Sequence, residues 1–190
     1  MPGKTAADAA SYFHDRFRQS LSVITDTYLH GIREGAEHLL FFEPPARLAT
    51  TKSGFLYIDV LQTFATVQTN DGSFRAHTTG YQYAVMEAET DSTEYGIVTY
   101  HWHPGRTPKL RWPHLHVIPR ERDKYLGNAI HLPTSRICIE DFVHLFIRDF
   151  HVRPRSSHED WKKILTDNKT SFVKFANWWA YSLNQQLISN

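Results

Sequence analysis

Residues 55–87 read FLYIDVLQTFATVQTNDGSFRAHTTGYQYAVME. Phe55–Gln68 is dense in β-branched and aromatic side chains, which suit a pleated, half-buried surface. Asn70-Asp71-Gly72 is a strong hairpin signal, because Asn, Asp and Gly tolerate the positive φ that tight hairpin turns require. Phe74–Glu87 is the expected return strand. These residues set the period of the middle of the chain at two, and a sheet follows from it.

Downstream, the polar turn Ala88–Glu94 leads into a third predicted strand, Tyr95–His103. Pro104-Gly105 breaks it. Leu110–Ile118 is a shorter fourth strand, and Pro113 and Pro119 predict that it is an edge or is interrupted. Upstream the period is helical. Tyr12, Phe13, Phe17 and Leu21 predict a helix from Thr5 to about Leu21. Ile24, Tyr28, Ile32 and Leu39 predict a second, from about Ser22 to Phe42, weakened by Gly31 and Gly35 and ended by Pro44 and Pro45.

After the charged loop Pro119–Asn128, a helix is expected from about Ile139 to Phe150. Its apolar stripe includes Ile139, Phe142, Val143 and Phe146, and Cys138 and Asp141 stand at capping-box spacing. Helices around His158–Thr166 and Thr170–Leu187 close the chain. The expectation is an α+β protein: an antiparallel β-meander of about four strands flanked by N-terminal and C-terminal helices. It divides into an N-terminal helical region (1–45), the β-meander (54–118) and a helical C-terminal part (131–190). One sheet face is expected to carry the helices and the other to be open for function.

The 190-residue length favours one domain, and 41% hydrophobic and 14% aromatic content can build its core. The single cysteine, Cys138, excludes an intramolecular disulfide and a Cys-rich zinc site. No apolar run approaches the ~20 residues of a membrane span, and Met1–Ala10 lacks a signal-peptide pattern. The expected location is therefore the cytoplasm, with no membrane partner. Residues 1–100 hold 7 Lys+Arg against 12 Asp+Glu, whereas residues 101–190 hold 14 against 8. The basic half mildly favours an anionic ligand.

That half also carries His101-Trp102-His103 and His114-Leu115-His116, two H-x-H pairs on consecutive predicted strands. Side chains two apart on a strand share a face. One antiparallel register opposes His103 with His114 and His101 with His116, which squares four imidazoles on one face and turns Trp102 and Leu115 toward the core. Pairing Glu87 with Tyr95 places Tyr81 opposite His101, so that Tyr81, and more weakly His77, border the cluster. Clustered imidazoles offer an acid and a base near neutral pH. They equally suit Zn²⁺, Fe²⁺, Ni²⁺ or Cu²⁺.

His131-Leu132-Pro133-Thr134-Ser135-Arg136 precedes a predicted helix start, where backbone N–H groups attract anions. Thr134 and Ser135 hydroxyls and the Arg136 guanidinium are candidate phosphate ligands. Arg106, Lys109, Arg111, Arg120, Arg122 and Lys124 are candidates for a phosphate-tracking rim. Phosphate-loop, dinucleotide-binding, H-E-x-x-H and G-x-S-x-G motifs are absent from the sequence. His114-Leu115-His116-Val117-Ile118-Pro119-Arg120 superficially matches the end of the histidine-triad hydrolase motif, but Trp112 stands where that motif has its first histidine.

His101-Trp102-His103-Pro104, Pro113-His114-Leu115-His116, His131–Arg136 and Ile139-Glu140-Asp141-Phe142-Val143 together resemble a family of uncharacterised bacterial and archaeal proteins, across roughly Tyr81 to Trp161. More loosely, a Tyr-rich strand, a His-Pro strand and a Pro-His-x-His strand before a helix resemble TumE-type toxins of toxin–antitoxin systems. This chain is longer and spaces its histidines differently. The looser resemblance implies an RNA-directed phosphodiesterase of toxin or defence type. In that reading His101, His103, His114, His116 and His131 are catalytic, Thr134, Ser135 and Arg136 bind phosphate, and no cofactor is required. One alternative makes His101, His103, His114 and His116 ligands of zinc or another divalent transition metal, in a hydrolase or an oxygenase-like enzyme. The other is a non-catalytic module that binds RNA, an antitoxin or another protein, or forms a homodimer through aromatics such as Trp178 and Trp179.

Overall fold

The computed structural model describes residues 3–51, 55–87, 96–104, 112–117, 130–155 and 157–175. Three helices, α1 (Ala6–Ser22), α2 (Ile139–Arg148) and α3 (Trp161–Phe175), accompany eight strands. These are β1 (His30–Glu34), β2 (Glu37–Phe41), β3 (Ala46–Ala49), β4 (Phe55–Gln68), β5 (Phe74–Met86), β6 (Gly96–Trp102), β7 (His114–Val117) and β8 (Ile130–Pro133). The α+β class and the flanking helices are as expected, but the described residues form eight strands rather than about four.

All pairings between these strands are antiparallel, in the spatial order β1-β2-β4-β5-β6-β7-β8. β4 is long enough for two strands to share one of its edges. β3 pairs with Phe55–Ile58 and β2 with Leu61–Ala65. The hairpin at Asn70-Asp71-Gly72 forms as expected, with Gly72 at φ +78°. Strands β4 and β5 have the predicted limits to within a residue.

The predicted helix over residues 22–42 is replaced by the β1–β2 hairpin. Ile32 and Leu39, assigned to one helix face, are instead cross-strand partners. Gly35, at φ +62°, supplies the turn between them. The expectation that the fourth predicted strand is an edge is also corrected, and its ends at Leu110, Arg111 and Ile118 lie outside the described residues. β7 is an interior strand, because β8, drawn from the segment read as a phosphate loop, pairs along its other side. The two C-terminal helices predicted after residue 158 are one helix through Phe175, and the rest of that prediction, with Trp178 and Trp179, lies outside the described residues.

Helix α1 starts where the sequence places it, at a capping box in which the Thr5 hydroxyl accepts from the Asp8 N–H and the Asp8 carboxylate accepts from the Thr5 N–H. It packs on β4 and β5 and against α2 and α3. The core lies between these helices and one sheet face, where Phe64, Tyr81, Tyr83, Phe142 and Phe146 are fully buried. Each such side chain removed from water contributes roughly 1.5–3 kcal/mol. Tyr81 stacks on Tyr83, and Tyr83 and Tyr100 both reach Phe142 of α2. Trp102 joins this face through Tyr81. His101, one residue away, therefore belongs to the opposite face. Among the described residues no helix is long and apolar enough to cross a membrane.

Candidate metal centre

Strands β6 and β7 bring the two H-x-H pairs together. The register opposes His101 with His114 and Thr99 with His116. The expected pairing of His101 with His116 is therefore corrected by a slide of two residues. An even slide preserves the face of every side chain, so the imidazoles still gather. Ring centroids of His101 lie 4.4 Å from His103, 5.1 Å from His114 and 5.3 Å from His116, and those of His114 and His116 are 4.8 Å apart.

His114 is buried at 3% exposure, while His101, His103 and His116 are half-buried. The carbonyl of Trp112 lies 2.9 Å from His114 Nδ1. A carbonyl only accepts, so Nδ1 carries the proton, and the lone pair of a neutral His114 is on Nε2. Nε2 stands 3.3 Å from His101 Nδ1. One ring nitrogen from each of His101, His114 and His116 lies within 4.8 Å of the other two.

His103 is placed by a glycine. A Cβ built on Gly80 of β5 would stand 2.6 Å from His103 Nδ1 and 3.0 Å from Thr63 Oγ1. The Gly80 position is thus the seat of the His103 ring. Sequence reasoning missed Gly80, although a glycine inside a strand pattern signals close approach of another group. His131 stands opposite His116 in the backbone register of β7 and β8; its side chain lies outside the described part.

Tyr81 does not border the cluster. The pairing of Met86 with Gly96 agrees with the predicted register, but a bulge next to it shifts the strand by one residue, so that Gln82 opposes His101 and Tyr81 opposes Trp102. Tyr81 is 1% exposed in the core, its hydroxyl accepts from the Ile137 N–H, and burial pushes its pKa up to about 12. His77 pairs with Ala65, and burial, with the nearby positive charge of Arg136, lowers its pKa.

Of the three candidate phosphate ligands, Arg136 lies away from the imidazoles. Ser135 is exposed, and the Thr134 N–H donates to the Pro113 carbonyl. Arg136 is 8% exposed and lays its guanidinium 3.6 Å from the Trp102 ring centroid, on the helix-bearing face of the sheet. Cys138 is the N-cap of α2 as the spacing suggested, but its thiol donates to the Asp141 carboxylate and caps no backbone N–H. Arg106, Lys109, Arg111, Arg120, Arg122 and Lys124 lie outside the described residues.

Comparison with known proteins finds no matching family model, no matching curated protein and no matching solved structure.

Proposed function

We propose that this protein is a histidine-ligated metalloprotein with metal-dependent hydrolytic activity, in which His101, His114 and His116 are the ligands. The observation that carries this reading is the nitrogen geometry. A tetrahedral Zn²⁺ with Zn–N of ~2.0–2.1 Å sets its ligand nitrogens roughly 3.3–3.4 Å apart. His101 Nδ1 and His114 Nε2 are 3.3 Å apart. The bond from His114 to the Trp112 carbonyl is the outer-sphere contact that fixes tautomer and ring plane in histidine metal sites.

Three neutral imidazoles leave the full charge of a divalent ion uncompensated. A divalent ion held by these three residues would supply Lewis-acid activation of water. His103, in edge contact with His101, is placed to relay a proton. A phosphodiester such as RNA is the substrate class the basic C-terminal half supports. Metal-free acid–base cleavage is less well supported. In-line transfer needs the reacting phosphate between acid and base, and His101 and His114 are in contact.

Metal content and cleavage test this together. The purified protein is expected to hold about one Zn²⁺ or similar ion per chain, and His101→Ala and His114→Ala to lose it. Hydrolysis of labelled RNA is expected to stop in EDTA and return with added metal. Cleavage that persists in EDTA and is lost in His114→Ala would restore the metal-free phosphodiesterase. Absence of both metal affinity and cleavage would overturn the enzyme reading and favour a binding module.

A further inference from the structure

On the face of the sheet away from the histidines, a cavity lies among α1, α3, the start of α2 and the β4–β5 pair. It leaves about 60 Å³ for the centres of water-sized molecules, roughly four to six such positions, the room a single ring with one small substituent needs. Its walls are aromatic, with Phe13, Phe17, Phe74 and Phe172 among them. Most of its polar and charged lining is already committed. The Tyr83 hydroxyl donates to Gln62 Oε1, and the Gln62 amide donates to the carbonyls of Thr63 and Gly80. Arg16 donates to Tyr12 and Asn168, and Arg75 pairs with Asp71 at 3.9 Å.

Glu140 is the exception. It is 5% exposed and lines the cavity. Oε1 accepts from the Ser20 hydroxyl at 2.8 Å, but Oε2 is buried with no hydrogen-bond partner among the described residues. The Cys138 thiol beside it does not serve Oε2, because its one hydrogen goes to the Asp141 carboxylate. A buried polar atom in this state is costly, and a ligand group that completes it is favoured. Burial raises the pKa of Glu140 toward the neutral acid, so Oε2 can meet a ligand as acceptor or as donor. A hydroxyl does both and fits either state. Ions fit less well. A carboxylate would find both guanidinium groups committed, and an ammonium would meet two like charges. The rings select an apolar, planar body.

We propose that this cavity binds a small uncharged molecule of the phenol class, one aromatic ring with a hydroxyl, its ring lying among the phenylalanines and its hydroxyl on Oε2 of Glu140. The site is separated from the histidines by the sheet, so it stands or falls independently of the metal centre.

The test is a titration of the intact protein with phenol, toluene, benzoate and benzylamine, followed by amide chemical shifts. Phenol is expected to give saturable shifts at Ala9, Phe13 and Phe172, with strands β6 and β7 unchanged. It is expected to bind about tenfold more tightly than toluene, the worth of one buried hydrogen bond, and more tightly than benzoate or benzylamine. Glu140→Gln, whose amide both donates and accepts, is expected to keep the preference for phenol over toluene. Glu140→Leu is expected to abolish that preference while toluene still binds. The four-ligand comparison in the wild-type protein keeps the test decisive if Glu140→Leu fails to fold. No saturable shift with phenol, toluene or either ion binding as tightly as phenol, or a preference for phenol that survives in Glu140→Leu would each overturn the proposal.

Discussion

Gly80 shows how one absent side chain shapes the histidine cluster. The His103 ring occupies the space a Cβ would need, and the Trp102 carbonyl, 3.0 Å from that position, closes it further. In Gly80→Ala, His103 is expected to swing away while His101, His114 and His116 keep their places. Metal stoichiometry should then match wild type, and hydrolysis should fall about tenfold or more if His103 relays a proton. Metal analysis beside steady-state rates checks both halves. Glu140 gives a second prediction at this scale. Burial raises its pKa above the ordinary 4.5, so the fold prefers the acid form. The stability it contributes is complete below pH 4.5 and is lost as pH rises through the raised folded value. Glu140→Gln cannot ionise. In urea unfolding, wild type is expected to lose stability relative to Glu140→Gln as pH rises across that window, by at most about 1.4 kcal/mol per pH unit.

Elements differ in how far their sequence commits them. Helix α1 begins at a reciprocal Thr5–Asp8 capping box, and Thr5→Ala is expected to cost about 1 kcal/mol in urea unfolding. Helix α2 has a weaker start, since Cys138 caps no backbone N–H. It is held instead by Phe142, fully buried against Tyr83, Tyr100 and Phe146. Phe142→Ala is expected to destabilise by about 3–5 kcal/mol, through lost transfer energy and the cavity left behind. Thermal or urea unfolding of that variant checks the value. The β1–β2 hairpin was the element least legible beforehand. Ile32 and Leu39 are seven residues apart, a spacing that fits two helical turns as well as it fits a cross-strand pair about a turn at Gly35. Local period could not separate the two; pairing of β2 with the edge of β4 did.

For the whole molecule, the sheet is a partition. Its helix-bearing face holds the aromatic core, the Glu140 cavity and Arg136, and its other face holds the imidazoles. A metal bound by the native site alone couples the two faces through stability. At a free ion concentration of 100 times Kd, it is expected to stabilise the fold by about 2.7 kcal/mol. Calorimetry should show that increment lost in EDTA and absent in His114→Ala.

The sequence by itself determined the period-two middle of the chain, the Gly72 turn, the start of α1 and α2, and the shared face of His101, His103, His114 and His116. These are local properties, set by alternation along a strand, turn chemistry and capping. Tertiary structure alone decided the register, because a bulge beside Met86 and a two-residue slide between β6 and β7 depend on how neighbouring strands pack. It also decided that residues 130–133 pair as a strand and that Arg136 turns under Trp102. A planar cation gains more on a buried indole face than a spacing rule can express, and only the assembled sheet supplies that face.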